Sequence, residues 1–329
     1  MKYSAFQVTE GSTGKFESEV CELDTSDLPD GDVLIQVSYS SLNYKDALSF
    51  SGNKGVTRQY PHTPGIDAVG KVITSKSDAF LEGQRVIVVG YDLGMGTSGG
   101  FGEFIRVPAK WVMPLPTSMT QKQAMSWGTA GFTAALCVEK LLNSNVVPEN
   151  GPILVSGATG GVGSVTVQLL KKLGFVVHGL TSKDSAGDFL KGIGVDEVVL
   201  LSDFDTQNKR PMLKPKYAGA IDVAGGDVLA GILKVINYGG AVACCGLVES
   251  PALSTTVLPF ILRGVDLLGV DSVELPLVKK TAVWNNMASD WSLALEKSCE
   301  VISKVQLSEK LTLILNGQAK GRFILDHSL

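Results

Sequence analysis

From residue 152 onward six short apolar runs follow one another: "PILVSG" (152–157), "FVVHGL" (175–180), "DEVVLL" (196–201), "YAGAIDVAG" (217–225), "GAVACCG" (240–246) and "VDLLGV" (265–270). Amphipathic stretches separate them. Between the first two, Val162, Val165, Leu169 and Leu173 recur at spacings of three and four, and Gly174 follows. That is the pattern of a helix with one apolar stripe, ended by glycine at its C′ position. Further helices are predicted over 184–192 and about 227–236. Strands that alternate with helices build a parallel sheet covered on both faces, and six strands complete a dinucleotide-binding sheet. The middle of the chain is thereby restricted to a doubly wound α/β fold.

The first strand-to-helix junction reads "VSGATGGVGS" (155–164). A pyrophosphate at a helix N-terminus is held by unpaired backbone N–H groups and the helix dipole, provided that no side chain keeps it away. Gly160 and Gly163 stand where the second and third glycines of G-x-G-x-x-G stand, with Ala158 at the first place and Gly157 before it. Thr159, Gly160, Gly161 and Val162 are accordingly assigned to the phosphates; the bland alternative is a glycine-rich corner that binds nothing. The next strand ends in Thr181, Ser182 and Lys183, where an NAD site carries an acidic residue for the ribose 2′-OH. Two hydroxyls and an ammonium suit a 2′-phosphate, so NADPH is expected rather than NADH. The alternative is a solvated Lys183 ahead of an N-capping Asp184.

Residues 1–115 differ, with alternating strands such as "DVLIQVSYSSL" and "EGQRVIVVG" between Gly, Pro and Asp turns. The tail "LTLILNGQAKGRFILDHSL" reads as strand, turn, strand and matches this β-rich start. A discontinuous domain of 1–125 plus 300–329 is therefore expected, with the α/β domain inserted over 126–299. Two domains also suit a chain of 329 residues. Lys and Arg total 29 against 33 Asp and Glu, scattered along the chain, which argues against a nucleic-acid partner. No apolar run reaches membrane-spanning length and no secretory leader is visible, so a cytoplasmic protein with no membrane partner is expected. Cys21, Cys137, Cys244, Cys245 and Cys299 are odd in number without C-x-x-C spacing, which is read as buried, inert thiols.

These blocks together resemble the medium-chain dehydrogenase/reductase superfamily, in which a Rossmann doubly wound parallel sheet is inserted in a GroES-like β-rich domain. The resemblance spans essentially the whole chain and rests on "SSLNYKDAL" (40–48), "PGIDAVG" (64–70), "GTAGFTAALCV" (128–138), "GATGGVGS" (157–164), "NYGG" (237–240), "TTVLPFILRGVDLLGVDSV" (255–273) and "NGQAKGR" (316–322). It is nearest to the zinc-free quinone-oxidoreductase division and its acrylyl-CoA reductase branch. Zinc-dependent members carry a Cys near "SLNYKD" and Gly-His-Glu where Gly65, Ile66 and Asp67 stand here. Both ligands are missing, so no zinc is expected, and His62 is read as a loop residue.

The resemblance implies NADPH-dependent reduction of the C=C bond of a short α,β-unsaturated acyl-CoA, acryloyl-CoA to propanoyl-CoA. A quinone or enone reductase is the alternative on the same scaffold, and a non-catalytic NADPH-binding protein the alternative of another class. Hydride delivered to the β-carbon leaves negative charge on the carbonyl oxygen, which needs donors, and the α-carbon must then be protonated. Tyr44 is expected beside the nicotinamide, orienting substrate or relaying a proton; otherwise it is a half-buried strand tyrosine. Asn43 and Asp46 flank it as turn formers or as hydrogen-bonding groups behind it. The resemblance further places Thr129, Thr133, Leu247, Val273 and Asn316 along the cofactor. Lys45, Lys54, Arg58 and Arg263 are candidates for the anionic end of CoA. The apolar run 265–273 ends the sheet, and its open edge predicts a homodimer.

Overall fold

The computed structural model describes residues 1–204 and 209–329. They divide into two compact units, Met1–Thr129 with Val273–Leu329, and Ala130–Ser272.

The first unit opens with an antiparallel hairpin, β1 (Lys2–Glu10) and β2 (Phe16–Asp24). Then come β3 (Val33–Ser41), α1 (Tyr44–Phe50), β4 (Asp67–Ser75), β5 (Arg85–Val89), β6 (Phe104–Val107) and β7 (Val112–Pro114). Strands β3, β4, β5 and β7 lie side by side and antiparallel, and β6 pairs with one half of β3. Alternation decides which side chains face inward: Val33, Ile35 and Val37 of β3 pack on Val86, Val88, Ile105 and Val107.

Helix α2 (Gln121–Asn143) leads out of this unit, interrupted at Gly128, whose φ of 51° is left-handed. The second unit then alternates β8 (Ile153–Val155), α3 (Gly161–Lys172), β9 (Val177–Thr181), α4 (Gly187–Gly192), β10 (Glu197–Leu200), β11 (Tyr217–Asp222), α5 (Gly226–Lys234), β12 (Ile236–Cys244), α6 (Leu258–Arg263) and β13 (Asp266–Gly269). All six strands are parallel, in the order β10-β9-β8-β11-β12-β13. The winding reverses between β8 and β11, which is where doubly wound sheets take their ligands. β8 and β11 are buried on both faces, which is why their sequences run apolar without alternation. Every apolar run anticipated from residue 152 onward is a strand of this sheet.

The return segment contributes α7 (Leu277–Met287), β14 (Cys299–Ile302), α8 (Leu307–Leu315) and β15 (Arg322–Asp326). Two expectations change here. The stretch "LTLIL" is the end of helix α8 and not a strand: Leu307 and Leu311, one turn apart, are buried against Phe6, Val8 and Leu325. The return begins at Val273 and not near 300, because α7 is tied to the first unit by the Lys280 ammonium on the Val89 carbonyl and the Ser118 hydroxyl on the Ala288 carbonyl, and β14 pairs with β15. β15 in turn pairs with the end of β3 (Ile324 with Ser41). The cysteines also depart from expectation: all are free, and only Cys137 is buried. Among the described residues no helix is long and apolar enough to cross a membrane.

Candidate functional site

In the second unit the turn between β8 and α3 is shaped by glycine. Gly157 has a φ of 55°, and a Cβ at Gly163 would come within 2.3 Å of the Gly157 carbonyl oxygen. Only glycine at 163 lets the helix pack this close to the strand end. Gly160 is the N-cap of α3, and no side chain caps that end. The first N–H groups of a twelve-residue helix therefore point out of the turn with the positive end of its dipole. Thr159 is buried, and its hydroxyl receives the Lys183 ammonium at 2.7 Å. Lys183 is thus drawn onto the turn instead of extending into solvent. Thr181 is buried at the end of β9 and accepts the Lys183 N–H at 3.1 Å, while Ser182 is exposed. The turn, an ammonium and a free hydroxyl make a local field for an anion carrying more than one phosphate. Asp184 is not an N-cap, since Lys183 occupies that position of the following 3-10 turn.

In the first unit a buried polar cluster lies under the start of α1. Tyr44 is the first residue of that helix, half-buried, and not a strand residue. Asn43 is its N-cap, and Asp46 in the first turn accepts the Asn43 N–H at 2.7 Å. The other Asp46 oxygen accepts the N–H groups of Gly65 (3.1 Å) and Ile66 (2.9 Å), tying the helix to the entry of β4. Burial and the neighbouring charge of Asp67 push the Asp46 carboxyl up to about 7, against the pull of its N–H donors.

Asp67, fully buried at the start of β4, receives the Ser41 hydroxyl, Asn43 Nδ2 (2.8 Å) and the Thr129 N–H (2.9 Å) on one oxygen. Its other oxygen receives the Thr129 hydroxyl. Arg322, at the start of β15 and almost fully buried, stands 4.0 Å from Asp67 and donates to Ser41 Oγ (2.8 Å), the Leu42 carbonyl (3.1 Å) and Asn43 Oδ1 (3.3 Å). Burial pulls Arg322 below its usual value, and Asp67 opposes that pull. A Cβ at Gly128 would strike Ser41 Oγ, Arg322 and Asp67 within 2.2–2.6 Å, so the kink in α2 is what makes room for the cluster. The arrangement fixes Asn43, Tyr44 and Thr129 on a rigid base.

The remaining residues singled out from the sequence are spread more widely. Thr133 is buried on α2 and donates to Ser272 Oγ at 2.9 Å. Leu247 is exposed after β12. The Val273 carbonyl accepts from the Tyr91 N–H (3.3 Å) and from the fully buried Lys280 ammonium (2.8 Å), which also lies over the Tyr91 ring. Asn316 is the exposed C-cap of α8 and contributes to none of the hydrogen bonds around Asp67. His62 bridges to Val8 and is buried, its Nε2 2.9 Å from the Gly94 carbonyl, and burial holds its pKa down. Arg263 is excluded as an anion binder: its guanidinium is spent on the carbonyls of Lys234, Ile236 and Leu213. Lys54 is occupied by Glu10 at 2.6 Å and by the rings of Phe16 and Tyr60. Lys45 and Arg58 form no salt bridge among the described residues, and Arg58 is exposed.

Sequence reasoning met Asp67 only as the place of a missing zinc-ligand motif and passed over Arg322, although both lie in the quoted blocks. The available signal was a charged residue at the head of an otherwise inward-facing run, "DAVG" and "RFIL".

Residues 29–117 match the alcohol dehydrogenase GroES-like domain family and residues 161–289 the zinc-binding dehydrogenase family. YhfP of Bacillus subtilis, a putative quinone oxidoreductase, is 43% identical over 92% of both chains. The crystal structure of B. subtilis yhfP with NAD bound superposes with a TM-score of 0.95, at 40% identity over 99% of this chain and 100% of that one. The acrylyl-CoA reductase AcuI of Ruegeria pomeroyi is 39% identical over 95% of this chain and 96% of its own. The yhdH oxidoreductase of Salmonella enterica, solved in complex with NADP, gives a TM-score of 0.95 at 39% identity, covering 99% and 100% of the two chains. The second of these families is named for zinc. At Asp67 the donor set does not fit that metal, because both carboxylate oxygens are taken by N–H and O–H donors and a guanidinium stands beside them. Among the described residues no three His, Cys, Asp or Glu gather as a metal-holding group.

Proposed function

As the chain belongs to the medium-chain dehydrogenase/reductase superfamily, we propose that it is a cytoplasmic, zinc-independent reductase that uses NADPH to saturate the C=C bond of a short α,β-unsaturated acyl-CoA, acryloyl-CoA to propanoyl-CoA. The observation that carries the cofactor is the Lys183–Thr159 bond, which sets an ammonium beside an uncapped helix N-terminus. The likeness to AcuI over nearly the full length supports the substrate class.

In this reading the turn at Thr159, Gly160, Gly161 and Val162 takes the pyrophosphate, and Thr181, Ser182 and Lys183 take the 2′-phosphate. Thr133, Leu247, Val273 and Asn316 line the rest of the dinucleotide. Bound NADPH supplies the hydride. The base formed by Asp67 and Arg322 holds Asn43, Tyr44 and Thr129 so that Tyr44 orients the enoyl group or passes a proton. Donors that do not reorganise as charge grows on the carbonyl oxygen are what such a reaction needs. Asp46 holds that helix in place from behind. Lys45 and Arg58 are the remaining cations for the CoA phosphates.

A homodimer completes the proposal. Among the described residues β13 has a strand neighbour on one side only, and Val248, Val257, Ile261 and Leu262 of the same unit are exposed. A monomeric mass in sedimentation at micromolar concentration would overturn it.

The second reading is quinone or enone reduction, favoured by the likeness to YhfP. A panel of enoyl-CoAs, free enones and quinones, each with NADPH and NADH and with EDTA present, separates the two. We expect kcat/KM for acryloyl-CoA to exceed that for a bare enone by orders of magnitude, with NADPH preferred and EDTA without effect. Equal rates on enones that lack the CoA tail would move the assignment to the second reading. Tight NADPH binding with no oxidation of it across the panel would instead mark a non-catalytic binding protein.

A further inference from the structure

Asp222 ends β11, is fully buried, and has no part in the roles assigned above. Its Oδ1 accepts the Ser156 hydroxyl at 2.7 Å and the Ala224 N–H at 3.3 Å, and its Oδ2 accepts the Gly225 N–H at 2.8 Å. Ser156 Oγ accepts the Val223 N–H in return at 2.9 Å. The Asp222 carbonyl receives the Cys245 N–H at 3.0 Å and the Cys245 thiol at 3.4 Å. One residue therefore joins the C-terminal ends of three neighbouring strands: β8 through Ser156, its own β11, and β12 through Cys245.

The packing around it is equally close. A Cβ on Gly157 would reach within 2.4 Å of the Val223 side chain, and one on Gly246 within 2.2 Å of the Val223 carbonyl. Ser156 directly precedes Gly157, the residue whose left-handed φ starts the phosphate turn. Burying a carboxylate is expensive, and a corner of this kind does not require one. What a carboxylate offers, and an amide does not, is acceptors only, toward a hydroxyl and two N–H groups at once; an asparagine would turn its own NH₂ toward one of those donors.

We propose that Asp222 is a positioning residue of the cofactor site: by holding Ser156 and the 223–226 corner together it presets the N–H groups of the 157–162 turn for a pyrophosphate. This rests on the reading that the turn holds the cofactor's phosphates. A preset turn binds without first spending ordering free energy, so its loss is felt in affinity for the whole dinucleotide. The backbone at the Thr181–Lys183 end of β9 is held by the Leu201 N–H on the Thr181 carbonyl and the Lys183 N–H on the Thr181 hydroxyl, neither of which involves Asp222; only the Lys183 ammonium leans on the turn, at Thr159.

That separation supplies the test. Asp222→Asn and Ser156→Ala are titrated with NADPH and with adenosine 2′-monophosphate, well below the melting temperature of each variant. The NADPH Kd is expected to rise tenfold or more in Asp222→Asn and several-fold in Ser156→Ala, with the Kd for adenosine 2′-monophosphate within twofold of the native protein. Equal weakening of both ligands, or an unchanged NADPH Kd in folded Ser156→Ala, overturns the proposal and leaves Asp222 a prop of the fold. Should Asp222→Asn not fold, Ser156→Ala decides alone, because it keeps the carboxylate with its two backbone donors. A native protein that binds neither ligand overturns the cofactor assignment, and this inference with it.

Discussion

In the second unit the glycine-rich turn is one run of sequence, 155–164, and what it presents is backbone; in the first, the groups around Asp67 come from 41–46, 65–67, 129 and 322 and present side chains. The first kind of site tolerates change at most positions but is intolerant where a Cβ would enter, as at Gly163. The second depends on charge balance, because each member leaves another unsatisfied when it is lost. Backbone sites should thus fail by steric intrusion, and side-chain sites by uncompensated charge.

The largest expected effect belongs to the first unit. Arg322→Met leaves Asp67 buried beside no cation and should destabilise that unit by about 3–5 kcal/mol in urea unfolding. A loss below about 1 kcal/mol would show that the N–H and O–H donors satisfy Asp67 by themselves, and the contrast drawn above would break.

Acid response gives a second, somewhat smaller lever. Burial holds His327 down at about 4, against 6.5 when free. Between those values the unfolded chain binds the extra proton, so this stability is complete above 6.5 and is lost as the pH falls toward 4, by about 3 kcal/mol. Asp46 acts in the opposite sense: its folded value of about 7 lies above 3.8, so its contribution is complete below 3.8 and is lost as the pH rises toward 7. Relative to the native protein, stability in His327→Gln should therefore rise less or fall more from pH 4 to 7, and in Asp46→Asn it should rise more or fall less over the same range. Identical slopes in the two variants would remove one of these assignments.

The smallest effect sharpens the other side. Lys183→Ala touches a site made mostly of backbone, and should lower kcat/KM for NADPH about tenfold, about 1.4 kcal/mol, with NADH unchanged. Equal loss with both nucleotides would mean that Lys183 braces Thr159 instead of reading the 2′-phosphate.

Local patterns made the second unit legible. Each strand and helix there is specified by residues within a few positions of one another, and parallel strands buried on both faces leave apolar runs that stand out. The glycine-rich turn between β8 and α3 could be located for the same reason. "LTLIL" was misread because a short apolar run fits a strand or the end of a buried helix equally, and only the partners of Leu307 and Leu311 decide. Asp67 and Arg322 escaped because their meaning lies in each other, from opposite ends of the sequence. Arg263 looked like a free cation until the carbonyls around it were seen.

The position of β15 has one more consequence, for the order in which the molecule can be completed. The edge of β3 at residues 39–41 that faces away from β4 finds its pairing partner, and Asp67 its counter-charge, only when residues 322–326 exist. The inserted unit has every one of its strands by Gly269. Synthesis runs from N- to C-terminus, so the unit in the middle of the sequence is able to close first, while the unit begun earlier waits. During that interval the older half stands as a sheet with an open edge and a stranded carboxylate, and it is there that wrong partners have their opportunity.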